Sequence, residues 1–136
     1  MIPRTKRKPR NASLLAYKRR APTGIPRTIK ATKRAKRATR RAVIAATRAK
    51  VWLRDGACRY SRNASETDEM HEVVSRAKLR GRPPDEIFNT RNCLRLARAV
   101  HERVTRGQLR IEFLDVARGC NASVEFHDQN GNIWVG

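Results

Sequence analysis

The sequence predicts a mixed α+β protein: a strand and helix core, led by a long basic N-terminal helix and closed by a C-terminal β-hairpin appendage. Three observations predict this class. From Thr28 to Arg54 the chain has no Pro or Gly and is rich in Ala, Arg and Lys, a composition that favours helix. A short β-branched run, Val73-Val74, is followed after a Gly/Pro loop by apolar residues at helical spacing. Near the end, two apolar runs flank Asn130-Gly131, a strong hairpin signal.

Charge divides the chain of 136 residues. Residues 1–50 hold 18 Lys and Arg and no acid, whereas residues 51–136 hold 14 basic and 12 acidic side chains, so nearly all of the net +20 lies in the first part. A polyanion is the expected partner. The N-terminal third repels itself and has few large apolar residues, so it is not expected to fold compactly alone. No signal peptide and no apolar run of about 20 residues is evident, so no membrane partner is expected, and an intracellular, cytoplasmic protein is. The three cysteines, Cys58, Cys93 and Cys120, have no paired spacing, which predicts reduced thiols.

In chain order, residues 1–27 contain Pro3, Pro9, Pro22 and Pro26 among basic residues and read as an extended arm that contacts phosphates without reading bases. Residues 28–50 form the basic helix, and Lys33, Arg34, Lys36, Arg37, Arg40 and Arg41 are its candidate phosphate contacts. Toward its end, Ile44, Ala45, Ala49, Val51 and Trp52 approximate an apolar stripe, so the helix should end docked on the domain. Gly56 stops it in a left-handed conformation.

Residues 51–107 are the expected core. Met70 to Ser75 predicts a strand, and Lys78 to Asp85 a loop. Asn92 reads as a helix cap, with Cys93, Ala97, Val100 and Val104 on the inner face of a helix ending near Gly107. Residues 108–136 are the appendage: Leu109, Ile111 and Phe113 alternate with polar residues, and Val124–His127 and Ile133–Val135 flank the turn.

Over residues 51–105 the chain resembles the HNH endonucleases, whose ββα-metal core surrounds one divalent ion. Trp52-Leu53-Arg54-Asp55-Gly56-Ala57-Cys58-Arg59 is similar to the family's opening. Glu69-Met70-His71-Glu72-Val73-Val74-Ser75-Arg76 is similar to its central strand, and Asn92 precedes His101 by the family's nine residues. Two departures accompany this. The family's structural zinc sits on two Cys-x-x-Cys pairs, which fall here on Cys58, Ser61, Ala97 and Val100, so no structural zinc is expected. In the favoured register His71 takes the metal-ligand place and Glu72 that of the histidine base; slipped by one, His71 is the base and Met70 falls where a ligand belongs.

The resemblance implies hydrolysis of a DNA phosphodiester, most simply in duplex DNA. His71 and His101 would hold one divalent ion, Mg²⁺ or Mn²⁺, with Glu72 as base and Asn92 orienting the loop and strand. Arg76, Lys78, Arg80 and Arg82 would clamp the backbone. Small free-standing members of this kind are often encoded by phages or mobile elements, which points to a bacterial or phage-infected cell. The alternatives are the same fold with a decayed centre, serving as a nucleic-acid-binding module, and an architectural or ribosome-associated basic protein. The sequence leaves the oligomeric state open.

Overall fold

The computed structural model describes residues 27–136, with side chains from residue 31 onward; the arm expected over residues 1–27 lies outside the described residues but for Arg27. The chain divides into two compact units, 1–36 and 37–136. The structure is mixed α+β, with one long helix and small antiparallel sheets.

Helix α1 spans Arg27–Asp55, matching the helix-favouring stretch Thr28 to Arg54 to within a residue and running five residues past the basic segment 28–50. Its residues up to Ala42 are exposed from residue 31 on, as their charge requires. Beyond that, Ile44 is half-buried and Thr47 and Val51 are buried, a stripe at helical spacing. Ala45 and Ala49, expected on that stripe, are exposed. Thr47 takes the place they would fill, donating from its hydroxyl to the carbonyl of Phe88 at 2.9 Å. Gly56 ends the helix at φ +63°, and its N–H bonds to the carbonyl of Trp52.

Strand β1 (Glu69–Glu72) pairs antiparallel with β2 (Cys93–Leu96), Glu69 opposite Leu96 and His71 opposite Leu94. Between them lies a turn-rich segment with the one-turn helix α2 (Pro84–Ile87), Pro84 at its first position. Helix α3 (Arg98–Thr105) follows β2 directly.

Two expectations fail here for one reason. The helix expected from Asn92 is a strand over Cys93–Leu96 and becomes helical only at Arg98. The strand expected over Met70–Ser75 ends at Glu72, leaving Val73 and Val74 outside it. The cause is Asn92, which is no helix cap. Its Oδ1 accepts from the N–H of Val74 at 2.7 Å, and its Nδ2 donates to the carbonyls of Val74 and Ile87 at 3.1 and 2.9 Å. The side chain thus captures the backbone groups that would have extended β1. The helical spacing of Cys93 and Ala97 coincides with a strand in which all four residues are buried, a pattern that periodicity cannot separate from a helix.

Strands β3 (Leu109–Phe113), β4 (Val124–Asp128) and β5 (Ile133–Val135) form a three-stranded antiparallel sheet in that order, with a 3-10 turn at Gly119–Asn121 before β4. The expected hairpin is β4–β5, which β3 extends by one strand. Asp128 closes the turn: its carboxylate accepts from the side chain of Asn132 and from the backbone N–H groups of Asn130 and Asn132, which holds its pKa below the usual carboxylate value.

The inner face of this sheet shares one core with β2 and α3. Leu109, Ile111, Val124 and Phe126 cluster with Cys58, Leu94, Leu96, Val100 and Cys120, while Tyr60, Val73, Ala97, Val104 and Phe113 pack against them. Cys58, Ala97 and Val100, three of the four positions where the resemblance would put zinc ligands, therefore belong to apolar packing. Tyr60 stands edge-on to Phe126 and Trp134, at centroid distances of 5.2 and 5.5 Å. All three cysteines are buried free thiols, and burial pushes those of Cys93 and Cys120 up to about 12.

Under the end of α1 lies a buried charge network. The Asp55 carboxylate, fully buried, accepts from Arg54 at 2.6 Å, from Arg59 at 3.2 Å and from the backbone N–H of Arg95 at 2.8 Å. Asp68, also fully buried, accepts from the Arg95 guanidinium at 2.7 Å. Asp55→Ala leaves these donors without their acceptor and is expected to lower the unfolding free energy by about 3–5 kcal/mol in urea titration. Glu86→Ala, at an exposed pair with Arg82, is expected to change it by less than about 1 kcal/mol.

Candidate metal and nucleic-acid site

Strand alternation places Glu69 and His71, two residues apart on β1, on the same face. Helix α3 brings His101 to that face in its first turn, where its N–H bonds to the carbonyl of Ala97. The rings of His71 and His101 stand edge to face with centroids 5.0 Å apart. A carboxylate oxygen of Glu69 hydrogen-bonds Nδ1 of His101.

Burial, and secondarily the neighbouring His101, lowers the pKa of His71 from 6.5 to about 4. His71 is therefore a neutral imidazole throughout the ordinary pH range, the form that donates a lone pair to a metal. His101 keeps Nε2 free of its bond to Glu69. The pair thus offers two imidazole nitrogens, donors that suit a transition ion better than Mg²⁺.

The other expected site residues divide in two. Asn92 bridges Val74, just past β1, to Ile87, so it fixes the segment that follows His71. Glu72 is held apart from the histidine pair. As the neighbour of His71 on a strand it takes the opposite face, opposite Cys93 in the register, and its carboxylate pairs with Arg76 at 3.3 Å. The sequence carried that signal, since adjacent strand residues face opposite ways. Glu69 was missed, and its two-residue offset from His71 was the signal that could have found it.

Of the expected phosphate contacts, Arg76, Lys78, Arg80 and Arg82 are exposed in the turn segment after β1, Arg82 being paired with Glu86 at 2.9 Å. Within the larger unit, the guanidinium groups of Arg40 and Arg76 lie 5.3 and 5.8 Å from the ring of Phe88, so the helix and the turn segment contribute cations to one place. Arg37 and Arg41 are exposed on α1, as are Lys33, Arg34 and Lys36 in the smaller unit. Arg98 and Arg106, not singled out from sequence, line a depression of about 280 Å³ with Glu69 and His101.

A second group of residues that could hold a metal ion lies on the sheet: Glu112, Glu125 and His127. His127 Nε2 is 3.0 Å from Glu125 and 3.7 Å from Glu112, and Glu112 also pairs with Arg110 at 2.9 Å. Among the described residues no helix is long and apolar enough to cross a membrane.

Two outcomes are expected of the site as a structure. Replacing Asn92 with Ala strands the polar groups of Val74 and Ile87 and should cost about 2–3 kcal/mol in chemical denaturation. In metal-free buffer, His71 takes up a proton below pH 6.5 in the unfolded chain but only near pH 4 in the folded one. Stability should therefore be at its full value above pH 6.5 and fall by up to about 3 kcal/mol on acidification to pH 4, a decline that His71→Phe should remove in thermal melts.

No family model, no curated protein and no solved structure matches the chain, so its own residues and their geometry carry the functional reading.

Proposed function

We propose that the protein is a metal-dependent endonuclease of the HNH type that hydrolyses DNA phosphodiester bonds, its basic helix and turn segment gripping the backbone. The observation that carries this reading is the convergence of His71 and His101 on one face of an antiparallel strand pair followed by a helix. Nine residues before His101, Asn92 is bonded to the segment that follows His71.

His71 and His101 are the ligands, each through a neutral imidazole. A divalent ion held there supplies a positive centre that polarises the scissile phosphate and stabilises the departing 3′-oxygen. Arg76 and Arg40 orient the phosphodiester, guanidinium being suited to paired contacts with phosphate oxygens. Water attacks phosphorus in line, the bond to the 3′-oxygen breaks, and a 5′-phosphate and a 3′-hydroxyl result. Glu72 is the proton acceptor that the resemblance assigns. Its carboxylate pairs with Arg76 on the face of β1 opposite His71. Asn92 keeps the segment between these residues in place.

The opposite-face position of Glu72 favours a second reading, a nucleic-acid-binding module built on the same scaffold with no working base. Lys and Arg on α1 and in the turn segment would then supply salt-dependent affinity without cleavage.

Nicking of supercoiled plasmid in Mn²⁺ or Mg²⁺ separates the two. The expected result is cleavage that EDTA and His71→Ala abolish while plasmid binding persists, with Glu72→Gln lowering the rate by about 10²–10⁴-fold. Binding without cleavage under every divalent ion tried would sink the nuclease reading and leave the binding module.

A further inference from the structure

The geometry points to Glu69 as the positioning residue that selects the tautomer of His101 and thereby makes its Nε2 the metal-binding atom. This rests on the proposed role of His71 and His101 and deepens it. A neutral imidazole carries one ring proton, and the nitrogen that bears it cannot also donate a lone pair. A carboxylate only accepts, so its bond with Nδ1 of His101 requires the proton to be on that nitrogen. Nε2 is then left with its lone pair.

Strand and helix impose this arrangement together. Glu69 stands two residues from His71 on the same strand face, and His101 reaches it from the first turn of α3. A carboxylate behind a ligating imidazole fixes the ring's orientation and raises its donor strength. Stability does not account for the contact: the Glu69 side chain is 43 % exposed, and so accessible a polar contact contributes little to folding. Nor does Glu69 serve a second partner among the ion pairs of the described residues.

The test uses the full chain labelled with ¹⁵N-histidine, metal-free and in mildly alkaline buffer, with the His101 resonances assigned by His101→Ala. Long-range ¹H–¹⁵N correlation should show His101 with its proton on Nδ1, and Glu69→Ala should move the proton to Nε2 without altering the circular dichroism. Mn²⁺ affinity, measured by calorimetry, should fall about 10–100-fold in Glu69→Ala. A wild-type His101 protonated on Nε2, a tautomer indifferent to Glu69→Ala, or unchanged Mn²⁺ affinity in that variant overturns the role of Glu69 while leaving the nuclease reading intact. Failure of the wild-type chain to bind Mn²⁺ at all, with the Nδ1–H tautomer present, instead overturns the metal site on which both stand.

Discussion

The buried carboxylate of Asp55 is the constraint on which the rest of the structure depends. It sits at the last residue of α1 and collects Arg54, Arg59 and the backbone of Arg95, so the helix end and strand β2 are fixed to one atom group. Its partners extend the hold. Arg54 also donates to the carbonyls of Thr90 and Cys93, and Arg59 to those of Cys120, Ala122 and Gly136. A charge desolvated this far is costly unless paired, and here two guanidinium groups and a backbone amide pair it, whereas Oδ1 of the equally buried Asp68 has no hydrogen-bond partner among the described residues. In consequence hydrogen bonds through Arg59 tie the helix end to the segments that flank the three-stranded sheet. Gly119 belongs to the same junction. At φ +55° it lies so close to Arg91 that a Cβ there would collide with that residue's carbonyl.

How far this could be read from the sequence varies with the range of the interactions. Helix α1 and its stop at Gly56 rest on local propensity and a local turn, and both were legible. The β4–β5 hairpin was legible for the same reason, since its turn residues specify it. The stretch after Asn92 was not. Its fate depends on Asn92 reaching Val74, 18 residues away, and on Arg95 finding Asp68, 27 residues away. No periodicity encodes such pairs. Arg95 in particular looks like an outward residue and is only 7 % exposed, because its charge is neutralised inside.

At the candidate site the sequence offered residues and not their relations. The fold sets the rings of His71 and His101 edge to face, while Asn92 is bonded to Val74 and Ile87. The pairing of Glu69 with His101 and of Glu72 with Arg76 depends instead on which side of β1 each carboxylate leaves. Two acids three residues apart on a strand emerge on opposite faces, and here they meet different partners: an imidazole on one side and a guanidinium on the other. The cations follow a similar rule. Those on α1 came directly from composition, whereas the meeting of Arg40 and Arg76 over Phe88 needed the tertiary fold.

The three buried thiols give the molecule built-in reporters of its own opening. Cys58, Cys93 and Cys120 lie before β1, on β2 and in the 3-10 turn, and each has no exposed surface. With the pKa of Cys93 and Cys120 up at about 12, almost no thiolate exists at neutral pH to meet an alkylating reagent even if one reached them. Modification must therefore wait for the core to part, and its rate counts those partings. Because the three sites lie on three separate segments, labelling that proceeds at one rate means those segments open as a unit, and different rates would rank them by how easily each lets go.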